Sequence, residues 1–142
     1  MFVLDASVTL RWALSDGSAA DRNYADRVLE SLGKSGAAAV PALWYTEVVH
    51  VLRCSEIDGL LGESALTGFI YRLGQLPIEM DSAAPSAVQL AVAAVSREFK
   101  LSGYDAQYLE LAKRQASPLA TLDRDLRKAA KKARVALYLL EG

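Results

Sequence analysis

An α/β fold built on a mostly parallel sheet covered on both faces is predicted by three observations. Short apolar runs punctuate the chain, longer segments of helical periodicity separate them, and no repeat, low-complexity tract or linker interrupts the alternation. Parallel strands need crossovers, and helices laid over both faces of such a sheet supply them. A chain of 142 residues with 52% hydrophobic content is long enough to bury one core, so a single compact domain over residues 1–142 is expected.

The strand candidates are Phe2–Leu4, Ala37–Val40, Leu76–Met80, Leu119–Leu122 and Val135–Leu140. A short helix is expected to start near Ala6-Ser7. Ala25, Val28, Leu29 and Leu32 recur at helical spacing, which predicts a helix from about Asp21 to Lys34, broken by Gly33 and Gly36. Its acidic start suits the helix dipole. Pro41 fits the opening turn of the next helix, whose stripe is Trp44, Val48, Val51 and Leu52 and whose end lies near Asp58-Gly59. Leu66, Phe69, Ile70 and Leu73 mark a further helix, wide enough in its apolar face to serve core or partner. After Pro85, the stripe Ala87, Leu90, Ala91, Ala94 and Val95 marks another. The last two helices are expected over about Gly103 to Ala116, with Tyr108, Leu111 and Ala112 inward, and over about Arg124 to Arg134.

The net charge of −1 hides an asymmetry. Residues 1–96 carry 6 Lys/Arg against 11 Asp/Glu, residues 97–134 carry 10 against 5, and the remaining charge is Glu141. A basic C-terminal third suggests an anionic partner, since Lys and Arg supply salt-dependent attraction to phosphates. The single cysteine, Cys54, has no internal disulfide partner, and its helical apolar setting suggests a buried, reduced thiol. That thiol suggests a cytoplasmic setting; with a charge at the fifth residue and no basic leader, neither a signal peptide nor a membrane span is expected.

The chemistry is concentrated in Asp5, Glu47, Asp105 and Asp123, each at the end of an apolar strand-like run or the start of a helix-like one. Singly, each has an ordinary structural role. Asp5 and Asp123 can cap helices, Asp105 can complement a helix dipole, and Glu47 can be a solvated helix residue. Jointly they fall at one edge of a parallel sheet, where open α/β sheets place their ligand crevice. Four negative charges there are costly unless protons or a cation neutralise them. Oxygen donors without histidine or thiol select Mg²⁺ or Mn²⁺, and such a site can activate water against a phosphodiester, which makes the reading a metal-dependent nuclease.

Four segments carry a family resemblance: Val3-Leu4-Asp5-Ala6-Ser7 with Arg11-Trp12; Val40-Pro41-Ala42-Leu43 with Glu47 and Val51-Leu52-Arg53; Leu101 to Leu109 around Gly103-Tyr104-Asp105; and Thr121-Leu122-Asp123-Arg124-Asp125-Leu126. In this order and spacing the chain resembles a PIN-domain ribonuclease of the VapC toxin branch. The resemblance implies a three-layer α/β/α sandwich, Mg²⁺- or Mn²⁺-dependent endonucleolytic cleavage of RNA, a homodimer and a cognate antitoxin. It makes Asp5 and Asp105 direct metal ligands, with Glu47 and Asp123 completing the pocket directly or through water. Ser7 and Thr121 match hydroxyl positions beside the first and last acids, where they orient a carboxylate or water, or else form a helix cap and a strand-end hydrogen bond. His50 stands where relatives often carry Asn. One turn from Glu47, it either contacts the acids or is a partly buried helix residue without a catalytic part.

Arg124, Arg127, Lys128, Lys131 and Lys132 form a basic stripe beginning beside Asp123, either an RNA-backbone guide or a solvated face. Tyr104, Tyr108 and Trp12 are candidates for base stacking or for the core. Two other functional classes compete. One is a catalytically inactive PIN-like binding or regulatory module; the other is a receiver-like phosphoacceptor domain, disfavoured because Asp5 has no acidic neighbour and no late strand-end lysine is present.

Overall fold

The computed structural model describes residues 1–140. Four short strands, β1 (Phe2–Leu4), β2 (Ala38–Val40), β3 (Ile78–Met80) and β4 (Leu119–Ala120), make one sheet in the order β3-β2-β1-β4, with every pairing parallel. Seven helices connect and flank them among the described residues: α1 (Ala6–Arg11), α2 (Ala19–Lys34), α3 (Ala42–Ile57), α4 (Glu63–Leu73), α5 (Pro85–Phe99), α6 (Gly103–Arg114) and α7 (Arg124–Lys132). No helix of the described residues is long and apolar enough to cross a membrane.

The layers follow from chain direction. Steps from β1 to β2 to β3 run one way across the sheet, and the step from β3 to β4 returns past β1, so right-handed crossovers put α1–α4 on one face and α5–α7 on the other. The packing agrees: α1 lies on α2 and α3, α3 on α4, α5 on α6, and α6 on α7 and β1. The result is an α/β/α sandwich. Its core strands β1, β2 and β4 are buried on both faces, while the edge strand β3 exposes Glu79 and Met80. The direction of chain progress reverses between β1 and β4, which makes the carboxyl ends of these two strands the crevice of the sheet.

Most expected stripes are buried, among them Ala25, Val28 and Leu32 on α2, Trp44, Val48 and Leu52 on α3, and Tyr108, Leu111 and Ala112 on α6. Local chemistry sets the helix starts. Ser18 and Ser102 accept the backbone N–H groups of Asp21 and Asp105, and Asp123 accepts that of Leu126. Pro41 stands at the cap position before α3 rather than inside its first turn.

The structure departs from the expected elements in several places. On α5 the helix turns Val88, Val92, Val95 and Phe99 inward, and leaves Ala87, Ala91, Ala94 and Leu90 exposed, Leu90 at 87%. An alanine-rich helix with apolar residues on more than one face gives periodicity no basis for choosing between them. Residues 135–140 make a single parallel bridge, Leu119 to Leu137, instead of a fifth strand, because β4 is only two residues long and the chain turns at Leu139 with φ 58°. Tyr138 nevertheless stacks on Phe2 with ring centroids 3.8 Å apart, and its carbonyl accepts the Tyr24 hydroxyl at 2.7 Å. Cys54 is exposed rather than buried, and His50 beside it is also exposed, since both lie on the outer side of α3.

Candidate metal centre

Asp5 leaves β1 with extended backbone angles at the cap position of α1, yet its side chain does not cap the helix. The carboxylate turns instead toward β4. The Ser7 hydroxyl donates to Asp5 Oδ2 at 2.6 Å and the Thr121 hydroxyl donates to the same oxygen at 2.7 Å. Each hydroxyl also accepts a backbone N–H, Ser7 from Leu122 at 3.0 Å and Thr121 from Asp123 at 3.0 Å. The chain leaving β1 and the chain leaving β4 are thus laced together through one carboxylate oxygen, with Oδ1 left for another partner.

The remaining acids arrive from both helical layers. Glu47, half-buried on α3, accepts the Tyr108 hydroxyl of α6 at 2.6 Å, a bond that joins the two layers. Asp105 lies in the first turn of α6, half-buried, and Asp123 spends Oδ1 on the cap of α7. Burial is the main reason that the Asp5 carboxyl is pushed up to about 6, against the pull of its two hydroxyls; the charges of Glu47 and Asp123 push it further. Asp105 is also pushed up to about 6, first by burial and then by the charges of Asp123, Asp5 and Asp125. Glu47 is raised by burial and by Asp105, against the Tyr108 bond. The Tyr108 phenol is held far above its usual range by burial, with the Asp5 charge adding to it, and so remains a donor.

Asp5 thus feels the charges of Glu47 and Asp123, and Asp105 those of Asp5 and Asp123, while Glu47 feels that of Asp105. None has a basic partner among the described residues, where the ion pairs lie elsewhere. Asp81 shows the contrast. It follows β3 at the same edge, but Arg114 grips both of its oxygens and also Glu110, so the Asp81 carboxyl is held below its usual range. Nothing in the local sequence sets Asp81 apart, since it follows a strand-like run just as Asp5 does. What distinguishes it is a cation 33 residues away, which no local pattern reveals.

Among the described residues, no group of three or more His, Cys, Asp or Glu side chains is arranged to hold a metal ion as it stands. Two of the four acids are held by other partners, Glu47 by the Tyr108 hydroxyl and Asp123 by the backbone N–H of Leu126. The donor set itself is all oxygen, which fits Mg²⁺ or Mn²⁺, ions that keep several waters and need few direct protein ligands.

The other singled-out residues separate clearly. Among the described residues His50 makes no hydrogen bond or ion pair with the acids; its Nε2 lies 3.8 Å from Cys54 Sγ. Arg127 is not a free phosphate contact, because its Nε donates to the Thr121 carbonyl at 2.7 Å and its guanidinium lies over the Tyr24 ring. Arg124, Lys128, Lys131 and Lys132 are exposed on α7, with Ala129 and Ala130 turned into the core. Tyr108 is core and Trp12 donates to the Ala25 carbonyl, whereas Tyr104, beside Asp105, is 65% exposed.

In comparison with known proteins, the family model described as PIN domain matches residues 2–132. PAE2754 from Pyrobaculum aerophilum superposes with a TM-score of 0.67 at 21% identity, covering 90% of this chain and 84% of that one. FitAcB from Neisseria gonorrhoeae gives 0.63 at 17% identity, covering 97% and 96%. At such identities the likeness is one of fold. A comparison with curated proteins gave no match.

Proposed function

This chain belongs to the PIN-domain family, and from that premise we propose that it is a metal-dependent endoribonuclease, the toxin of a toxin–antitoxin pair, acting as one domain over residues 1–142. The observation that carries the reading is the set of four carboxylates at the β1/β4 crevice that have no basic partner among the described residues, while Asp81 and Glu110 nearby are paired.

In this reading Asp5 and Asp105 bind Mg²⁺ or Mn²⁺ directly, and Glu47 and Asp123 complete the pocket directly or through water. Bound there, the cation supplies an activated water and charge stabilisation for phosphodiester hydrolysis. Ser7 and Thr121 fix the Asp5 carboxylate through Oδ2, so that Oδ1 would be available to the cation. Tyr108 orients Glu47 and stays protonated while doing so. Exposed Arg124, Lys128, Lys131 and Lys132 draw the RNA backbone toward the crevice without reading its sequence. A cognate antitoxin and a homodimer belong to the same reading, through the resemblance to VapC toxins, as does a cytoplasmic setting.

RNA cleavage measured with Mg²⁺ or Mn²⁺ and again with chelator tests the proposal. Cleavage that requires the cation, and that folded Asp105→Asn protein lacks, supports it. RNA binding without cleavage under any of these conditions assigns the chain to the inactive binding-module class instead.

A further inference from the structure

A groove of about 790 Å³ opens between α5, the starts of α3 and α6, and the chain leaving the carboxyl end of β3. Its size falls in the range of small-molecule sites. Ala42, the first residue of α3, and Gly103, the first of α6, form part of its wall, and the same two helices carry Glu47 and Asp105 five and two residues further on. The groove is therefore continuous with the elements that hold the candidate metal ligands.

Its lining is unlike that of a phosphate site. No Lys or Arg is present, and the one charged side chain, Asp81, is neutralised by Arg114. Val88, Val92 and Ala93 of α5 offer small apolar contacts, while Gln89 of α5 and Gln107 of α6 both line the groove with amides that donate and accept. A flat, uncharged heterocycle with hydrogen-bonding edges matches this chemistry, whereas a phosphate does not.

We propose that this groove seats one base of the RNA strand next to the phosphodiester to be cut, with Gln89 and Gln107 contacting its edge. The proposal rests on the endoribonuclease reading and adds a base-specific subsite to it. The backbone phosphates are left to α7 and the base to α5 and α6, so affinity and sequence preference come from opposite ends of the fold's second helical layer.

The test uses isotope-labelled full-length protein in chelator, titrated with 2′-O-methyl tetranucleotides of each base and with ribose 5-phosphate. The side-chain amide signals of Gln89 and Gln107 are followed by NMR. Dissociation constants are measured for the parent, for Ala93→Phe, which fills the groove from an exposed helix position, and for Gln107→Ala. The expected result is that tetranucleotides move both amide signals and ribose 5-phosphate does not. Ala93→Phe then weakens binding roughly tenfold, as expected when about one base is displaced, and Gln107→Ala alters the order of preference among bases. Tetranucleotide binding with both signals unmoved and Ala93→Phe unaffected overturns the proposal. So does failure of any tetranucleotide to bind, and so does an Ala93→Phe protein whose only change is in oligomeric state, which assigns the groove to a second copy. The two readings part cleanly: shifted signals without metal-dependent cleavage leave the base site and remove the nuclease, and cleavage with unmoved signals does the reverse.

Discussion

The Tyr108 hydroxyl donates to Glu47 Oε1 at 2.6 Å, a bond that carries a side chain of one helical layer across to a candidate metal ligand of the other. Tyr108 is fully buried, so the bond is both a packing device and a restraint on Glu47. Tyr108→Phe keeps the ring and removes the donor. It should cost about 1–3 kcal/mol in chemical denaturation, and the Glu47 carboxyl should titrate higher still, because the lost bond favours its charged form. Carboxyl NMR that finds Glu47 unmoved, with unchanged stability, contradicts the assignment.

Removing charge from the crevice should move stability and activity in opposite directions. Asp5→Asn keeps an oxygen for the Ser7 and Thr121 hydroxyls and removes a charge that the Glu47 and Asp123 carboxylates act against. Metal-free Asp5→Asn protein at neutral pH should be more stable than the parent by about 1–3 kcal/mol, and it should not cleave RNA. Thermal denaturation in chelator reads the first effect, and a cleavage assay the second. A destabilised Asn variant would show that Asp5 serves the fold alone.

The pH dependence has a definite sign. In the folded chain Asp5 and Asp105 titrate at about 6 against an ordinary 3.8, so between those values the native state holds protons that the unfolded chain releases. Their contribution is full below about pH 4 and is lost as pH rises through about 6. For the buried Asp5 it amounts to about 3 kcal/mol; half-exposed Asp105 adds less. Subtracting the stability profile of Asp5→Asn from that of the parent isolates this decline, and saturating Mg²⁺ should flatten it. A difference profile that rises over the same interval contradicts the electrostatic account.

Much of this arrangement was legible in the chain, for identifiable reasons. The strand-end positions of Asp5 and Asp123 follow from two buried runs that hydrophobicity marks plainly, and both hydroxyl neighbours, Ser7 and Thr121, do reach the Asp5 carboxylate. The start of α7 was legible because Asp123 announces it as a polar cap. What escaped depends on distance or on rotation. The Tyr108–Glu47 bond spans 61 residues, and the Arg114 clamp on Asp81 spans 33. Arg127 sits in the basic stripe by spacing, yet it turns back to the Thr121 carbonyl. On α5, alanines on several faces conceal which side is buried.

Thr121 should matter more to the crevice than Ser7, because it is fully buried and Ser7 is not. Thr121→Val preserves shape, removes a donor to Asp5 and leaves the Asp123 N–H without its acceptor. A loss of about 1–3 kcal/mol in stability is expected, with metal affinity falling roughly 10–100-fold. Isothermal titration with Mn²⁺ checks the second figure, and an affinity equal to the parent's removes Thr121 from the site.

Reversal of charge on α7 separates guidance from chemistry. Lys128→Glu, Lys131→Glu and Lys132→Glu together should weaken RNA binding and flatten its dependence on salt, by roughly one unit of log–log slope for each phosphate no longer neutralised. Arg127 is left in place because it supports the Thr121 carbonyl. An unchanged slope in a fluorescence-anisotropy titration across salt concentrations means that the stripe is a solvated face.

The central claim is that the unpaired carboxylates of Asp5, Glu47, Asp105 and Asp123 share a divalent cation. Binding of Mn²⁺ at neutral pH, followed by electron paramagnetic resonance on folded parent, Asp5→Asn and Asp105→Asn proteins, tests it most directly. Saturable binding in the parent, lost in both variants, is the result predicted. Mn²⁺ held equally well by all three proteins, or by none, contradicts it.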